Sequence, residues 1–328
     1  MSLTICIPTY NRANLLARCL SSIFTQINSG LDFSVIVSDN NSSDNTSSIC
    51  KVYAQHKNFF YYKNDRNLGI LGNFIAAVKR SNSEFIWLLG DDDLMLDRSL
   101  INIFSLFKLY PKVDFFYLNS YNSNINVGDF KSQNLIYSSL PLFSNYKKTG
   151  VLKFSELINR NISFDFLGAM YMNVFRRTYW ESGLSAINQN SFEDKRTFSN
   201  FDNTFPHIKI FASAFMFSKA YYSYNPFTIN YSGARDWAHM YPLIYSVRIP
   251  EALDFYRANG LGLISYLKAK NSSLDNFAHD YFYLLINRNI YKNYFTYTGL
   301  LFKNCLFPNF YLSLIYPFLR KLKKLFNL

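Results

Sequence analysis

The feature that most constrains this chain is an alternation. Across the first 120 residues, short apolar runs take turns with stretches whose apolar residues recur at helical spacing. "LTICI" reads as a strand, and "NLLARCLSSIFTQ" then sets Leu15, Leu16, Cys19, Leu20, Ile23 and Phe24 on one helical stripe. "FSVIVSD" is a second strand. A Ser/Asn/Asp loop leads into a helical stretch to about Gln55, followed by the strand "FFYYKN", the helix "GNFIAAVKR" and the strand "EFIWLLGDDD". Strands that alternate with helices predict a parallel sheet covered on both faces, the architecture of an α/β nucleotide-binding domain. "DFFYLNSYNSNINVGDF" adds a strand and a polar loop, and between residues 121 and 150 the period weakens. Residues 151–240 mix short helices with strands such as "AYYSYN" and read as the rest of the same domain. After Pro250 the pattern turns helical, and it ends in the aromatic, basic, amphipathic "FYLSLIYPFLRKLKKLFNL". Residues 1–240 are therefore expected to form one α/β domain and residues 241–328 a helical C-terminal region.

In open parallel sheets, ligands bind at the carboxyl ends of the strands. Three polar clusters fall there: "PTYNR" at 8–12, "SDNNSSDNT" at 38–46 and "GDDD" at 90–93. The last is notable in a chain with 34 Lys and Arg against 22 Asp and Glu. Three adjacent carboxylates repel one another unless a cation sits among them. Carboxylates at i and i+2 can share Mg²⁺ or Mn²⁺ with a diphosphate, because these hard cations prefer a few protein oxygens plus substrate phosphates. The plainer reading is a solvated acidic turn, and its place after an apolar strand and a glycine argues against that. Asp39 at a strand end can accept hydrogen bonds from a base or ribose, while the loop after it can cap the next helix.

The net charge of +12 points to anionic partners: phosphorylated ligands, acidic lipid or nucleic acid. Basic residues are dispersed except at the very end, and no aromatic RNA-binding signature is present, so nucleic acid is not expected as a partner. Cys6, Cys19, Cys50 and Cys305 lie too far apart for a zinc or redox spacing, which fits a reduced compartment. "MSLTICIPTY" lacks a basic leader and its apolar run stops at Pro8, so it reads as a first strand. No stretch reaches the roughly 18 to 20 apolar residues that span a bilayer, which predicts a protein that is soluble or lies on a membrane.

"ICIPTYNR", "VSDNNSSDNT", "RNLGILGNF" and "WLLGDDD", in that order and spacing, resemble the inverting family 2 glycosyltransferases with the GT-A fold. The likeness is close over residues 1–120 and looser over 121–240. Within the family it is nearest to bacterial enzymes that add deoxysugars and other sugars to lipid-linked O-antigen units. The resemblance implies that residues 1–120 bind a nucleotide-sugar donor and 121–240 the acceptor. It implies that Thr9, Tyr10 and Arg12 surround the nucleoside and that Asp39 recognises the base, with Asn40 and Asn41 where many members have Asp-Gly. Asn67, Gly69 and Asn73 would lie beside the donor ribose and phosphates. Asp91 and Asp93 match the DxD pair, with Asp93 the direct ligand of Mn²⁺ or Mg²⁺ and Asp91 on ribose or a metal-bound water. Asp92 remains a candidate donor contact, since a shift of one residue changes which pair points inward.

An inverting transfer also needs a general base. "FEDKR" offers Asp194 and "FDNTFPHIKI" offers Asp202 at a helix entrance, with His207 either a third candidate or a helix-start residue bonded to backbone. In "GARDWAH", Arg235 would close over the diphosphate by bidentate geometry; alternatively it pairs with Asp236 while Trp237 joins the core. The basic tail, with Arg320, Lys321, Lys323 and Lys324, suits either a solvated helix end or the surface of an anionic membrane. The implied acceptor is a polyprenyl-diphosphate-linked oligosaccharide, which would place the protein in the cytoplasm on the inner face of a bacterial inner membrane. Transfer of a nucleotidyl group to a sugar phosphate is the competing reaction. It normally uses a Gly-rich phosphate loop after the first strand, and "IPTYNRAN" holds no glycine.

Overall fold

The computed structural model describes residues 1–26, 30–124, 137–234 and 237–316. Its first half follows the predicted alternation: β1 (Leu3–Thr9), α1 (Ala13–Phe24), β2 (Phe33–Asp39), α2 (Thr46–Tyr53), β3 (Phe59–Lys63), α3 (Gly69–Lys79) and β4 (Phe85–Leu88). All four strands run parallel, in the order β3-β2-β1-β4. Every residue of β1 and β4 is buried, which is why these strands read as unbroken apolar runs. The Cys6 thiol on β1 reaches the Ala77 carbonyl of α3, and Cys19 on α1 reaches the Gly90 carbonyl. Helices thus pack close against the sheet. The register pairs Thr9 with Asp39 and Cys6 with Leu88, so the three polar clusters leave the sheet at one edge.

Beyond β4 the sheet is mixed rather than parallel. β5 (Leu94–Met95), α4 (Ser99–Leu109), β6 (Phe115–Ser123), β7 (Gly150–Lys153), β8 (Asn173–Arg176), α5 (Arg177–Gly183), α6 (Pro206–Phe215) and β9 (Lys219–Tyr231) follow in the chain. β8 lies antiparallel between β4 and β6, β9 runs parallel to β6, and β5 and β7 pair antiparallel with β9. This explains why the period fades after residue 120: an antiparallel neighbour needs no crossover helix, so the regular strand-helix rhythm is lost.

Much of the aromatic content is core. Phe85 stacks on Phe107 with ring centroids 4.2 Å apart, and Phe115 meets Phe154, Phe211 and Phe215 edge-on at 4.9, 5.0 and 5.2 Å, the geometry aromatic quadrupoles favour. After a π-helical turn over Ile244–Arg248, the chain continues as α7 (Ile249–Ala258), α8 (Leu263–Ser273), α9 (Phe277–Ile286), α10 (Arg288–Tyr291), α11 (Tyr297–Asn304) and α12 (Pro308–Leu312). Arg248 and Lys270 are both buried here. Lys270 bonds the Pro250 carbonyl at 2.9 Å and Asp254 at 2.6 Å. Among the described residues, no helix is long and apolar enough to cross a membrane.

Candidate active site

Just past β4, Gly90 opens a tight turn in which its N–H donates to Asp93 Oδ2 at 3.1 Å and the Asp93 N–H donates back to its carbonyl at 3.2 Å. A Cβ at Gly90 would lie 2.5 Å from Asp93 Oδ2 and 2.8 Å from Asp92 Oδ1, so only glycine lets the carboxylates fold over the backbone. Each acid is held from elsewhere in the fold. Thr9, the last residue of β1, donates from Oγ1 to Asp91 at 2.7 Å. One guanidinium nitrogen of Arg12 reaches Asp91 at 2.8 Å and Asp92 at 3.2 Å. Asn230 on β9 donates to Asp93 Oδ1 at 2.8 Å. Asp91 is 4% and Asp93 1% exposed. Burial first, and the charge of Asp92 second, push the Asp91 carboxyl up to about 6, against the pull of Arg12.

The first two polar clusters brace each other. Asn11, in the left-handed region at φ 53, donates its N–H to Ser42 Oγ and accepts from the Ser43 N–H, both at 2.8 Å, while Asp44 accepts the Ala13 N–H at 2.9 Å and so caps α1 from across the site. Asp39 is fully buried and accepts from the Ser42 N–H at 2.8 Å and the Tyr61 hydroxyl at 2.6 Å. Asn40 donates to Asn67 at 2.9 Å and accepts the Leu68 N–H at 2.8 Å. Asn67 also accepts the Gly69 N–H at 2.8 Å. Asn73 accepts from Ser38 Oγ at 2.7 Å and Asn64 at 3.0 Å.

These contacts sort the predicted residues by place. Thr9, Tyr10, Arg12, Asn40, Asn73, Asp91, Asp92 and Asp93 line one cavity of about 360 Å³. Asp39, Asn67 and Gly69 do not line it; their bonds hold the loops that do. Asn41 is exposed at φ 67, a conformation in which asparagine is well tolerated. Much of the remaining lining is aromatic, with Phe143 stacked on Phe164 at 4.5 Å, Tyr241 on Tyr245 at 5.4 Å, and Phe198, Phe205 and Trp237 besides. Asn230 escapes sequence reasoning, since "FTINYSG" carries no signal of chemistry. Asn64 and Tyr61 are likewise unmarked in sequence.

Two of the three general-base candidates, Asp202 and Asp194, do not line this cavity. Asp202 is buried, accepts from the Asn188 N–H at 2.8 Å and Ser191 Oγ at 3.1 Å, and pairs with Lys209 at 2.8 Å. Asp194 forms a two-pronged pair with Arg196 at 2.9 and 2.8 Å, and those bonds hold its carboxyl well below the usual range. Arg235 and the basic tail beyond residue 316 lie outside the described residues.

His207 does line the cavity. Its Nε2 is 3.2 Å from the Leu167 carbonyl, and burial lowers its pKa to about 4. The unfolded chain takes up this proton near pH 6.5 and the folded chain only near 4, so stability is present above pH 6.5 and is lost as pH falls toward 4. The loss amounts to roughly 3 kcal/mol. Denaturant unfolding at pH 7 and pH 4 is expected to show that loss in the wild type and a smaller one in His207→Phe. Equal losses in the two proteins would contradict it.

A strand-end acid turn braced by the loop after β1, on a half-parallel, half-antiparallel sheet, is an arrangement of the GT-A fold. The chain belongs to glycosyl transferase family 2, whose pattern matches residues 4–176. It is 39% identical to abequosyltransferase RfbV of Salmonella typhimurium over 102 residues, covering 30% of this chain and 31% of that protein. It is 34% identical over 100 residues to GalNAc(5)-diNAcBac-PP-undecaprenol beta-1,3-glucosyltransferase of Campylobacter jejuni, covering 30% of this chain and 32% of the relative. These alignments thus span about a third of each curated relative. In three dimensions the chain resembles S. aureus TarS 1–349 in complex with UDP, with a TM-score of 0.59 over 84% of this chain and 71% of that one at 15% identity, which bears on the GT-A fold alone.

Proposed function

We propose that this protein is a metal-dependent, inverting glycosyltransferase that moves a sugar from a nucleotide-sugar donor to a polyprenyl-diphosphate-linked oligosaccharide, in the building of a bacterial surface polysaccharide such as O-antigen. The observation that carries the reading is the acid turn Asp91–Asp93, fixed by Thr9, Arg12 and Asn230 in the lining of a cavity rich in aromatic rings.

Among the described residues, no three His, Cys, Asp or Glu side chains form a ready metal cage. The donor set nonetheless fits Mn²⁺ or Mg²⁺, which take one or two carboxylates from protein and complete their shell with phosphate and water oxygens. Asp93 and Asp91 are the residues that would hold it. Bound there, the cation supplies positive charge where the leaving nucleoside diphosphate becomes more negative. Arg12 and Thr9 keep Asp91 oriented, and Asn230 does the same for Asp93. Tyr10 and Asn73 stand where a nucleoside and its ribose would pass. The rings of the lining offer flat apolar surfaces to sugar faces and exclude water. In the transfer, the acceptor hydroxyl oxygen bonds to the anomeric carbon from the face opposite the leaving group. The bond from that carbon to the phosphate oxygen breaks and its electrons stay on the diphosphate.

Residues 1–240 make up the transferring unit in this reading, and the C-terminal helices dock it on the inner face of the inner membrane. Two features support the docking. Ile264, Ile286, Phe302 and Leu306 are 70%, 81%, 78% and 90% exposed on or beside these helices. Residues 261–328 also carry nine Lys and Arg against two Asp, a surplus of +7 within the chain's +12. Apolar and basic side chains together suit an anionic lipid surface. Sedimentation with vesicles is expected to pull down the protein when they are rich in phosphatidylglycerol, whose negative surface attracts basic segments, and to leave it in solution with pure phosphatidylcholine. Equal partition would remove the membrane from the account. The transfer itself is tested by nucleoside diphosphate release from UDP-, GDP-, CDP- and dTDP-sugars with Mn²⁺, where one base class is expected to turn over. Release from none of them would contradict the transfer.

A further inference from the structure

One carboxylate that enters the cavity belongs neither to the acid turn nor to the sequence candidates. Asp165 lines the same cavity as Asp91, Asp92 and Asp93 and comes from the segment that also brings Phe164 and Gly168 to it. The turn that carries it is unusual. Phe166 and Leu167, two consecutive residues with bulky side chains, have φ of 52 and 73. Left-handed backbone at such residues persists only where the surroundings impose it, and such sites cluster where function needs a fixed geometry.

The surroundings here do impose it. Ser163 accepts the Leu167 N–H through its hydroxyl oxygen and donates that hydroxyl to Asp165 Oδ1, both at 2.8 Å. Tyr256 on α7 donates to the Phe166 carbonyl at 3.1 Å, and His207 on α6 lies 3.2 Å from the Leu167 carbonyl. The turn's own Ser163 and two separate helices therefore hold three successive residues. At Gly168 a Cβ would come within 3.1 Å of the Asp165 carbonyl and 3.2 Å of its Oδ2, so glycine leaves room for the carboxylate beside the backbone. The local order serves to place one side chain.

We propose that Asp165 is the general base of the transfer, taking the proton of the acceptor hydroxyl as that oxygen attacks the anomeric carbon. The inference rests on the glycosyl-transfer reading. The proton moves from the hydroxyl to an Asp165 carboxylate oxygen, the new bond forms between that hydroxyl oxygen and the anomeric carbon, and the electrons of the broken bond leave with the nucleoside diphosphate. Ser163 fixes the rotamer through Oδ1, and His207 and Tyr256 are positioning residues that hold the turn. Asp194 and Asp202 do not line the cavity, whereas Asp165 does.

The test uses the full chain with Mn²⁺ and the four nucleotide-sugar classes, with water or a farnesyl-diphosphate-linked monosaccharide as acceptor. Asp165→Asn is expected to lower kcat for nucleoside diphosphate release by about 10² to 10⁴. The increase in Tm produced by the nucleoside diphosphate with Mn²⁺ should match the wild type, which a merely structural role would not allow. Asp165→Glu should recover part of the lost rate. An active wild type whose Asp165→Asn variant stays within about tenfold of it, a modest loss for a general base, would overturn the assignment alone. So would an Asp194→Asn or Asp202→Asn variant that loses turnover while Asp165→Asn keeps it. A wild type that turns over no donor would overturn the transfer reading and this inference with it.

Discussion

Asp93→Ala is expected to lower Mn²⁺-dependent nucleoside diphosphate release by about 10² to 10³, the range seen when one preorganised charge-stabilising contact is removed from an active site. The side chain is 1% exposed, and the Gly90 N–H and Asn230 amide both donate to it. Its position is therefore set before any ligand arrives. Alanine removes the carboxylate and leaves two donors without their partner, which costs on the order of 1 to 3 kcal/mol for each group that water does not reach. Relief of repulsion within the acid turn offsets part of this. The fold should survive, with cooperative thermal unfolding near the wild-type value, while turnover with Mn²⁺ falls to background. Full activity in the variant, measured as nucleoside diphosphate release across a Mn²⁺ titration, would contradict the role given to Asp93.

Arg248→Ala is expected to destabilise the protein by about 3 to 5 kcal/mol, the cost of dismantling a buried charged network by removing one partner. Arg248 is 2% exposed. It donates to the carbonyls of Phe198 at 3.1 Å, Ser199 at 2.7 Å and Tyr294 at 2.9 Å, and to Glu251 at 2.7 Å. One guanidinium thus ties the start of α7 to the cavity-lining segment at Phe198 and to the turn after α10. Its loss takes a charged donor from the carbonyls of Phe198, Ser199 and Tyr294. Lysine cannot replace it, because a single ammonium lacks the planar fork that reaches several acceptors at once. A thermal melt should show a drop on the order of 10 °C for both Arg248→Ala and Arg248→Lys. A shift under about 2 °C would mean that the network contributes little.

The parallel half of the fold was legible because β1, β2 and β4 are buried on both faces and α1 carries an apolar stripe. The same logic placed "PTYNR", "SDNNSSDNT" and "GDDD" at one edge, where Thr9 and Arg12 indeed meet Asp91. What local pattern cannot carry is contact at a distance. Asn230 reaches Asp93 from 137 residues away, and nothing in its neighbourhood marks it. The antiparallel strands β5, β7 and β8 are short and follow irregular loops, so their periodicity is too brief to read. Asp165 sits in "SFDFLGAM", an apolar stretch in which a single acid looks like an exposed turn residue; only the clamped backbone reveals its place.

Other candidate residues are held by partners of their own. Asp194 drew attention through the dipeptide "ED", yet "EDKR" holds its own counter-ion two positions on, at Arg196. Asp202 sits in the turn before α6 and pairs with Lys209 in the first turn of that helix. Asp39 ends a strand, where a carboxylate can meet a ligand or close the following loop. Its bonds to Ser42 and Tyr61 do that here. His207 was read both as a candidate base and as a residue bonded to backbone; it bonds the Leu167 carbonyl and also lines the cavity.

The central claim, a nucleotide-sugar site completed by a metal at Asp91–Asp93, is tested most directly by thermal unfolding of the wild-type protein with UDP, GDP, CDP or dTDP, each with and without Mn²⁺. A ligand that binds only the folded state at 100 times its Kd stabilises by about 2.7 kcal/mol, enough to move the melting temperature by several degrees. The account predicts that one nucleotide does so and that the shift requires Mn²⁺. A melting temperature unmoved by all four nucleotides, with the metal present or absent, would contradict it.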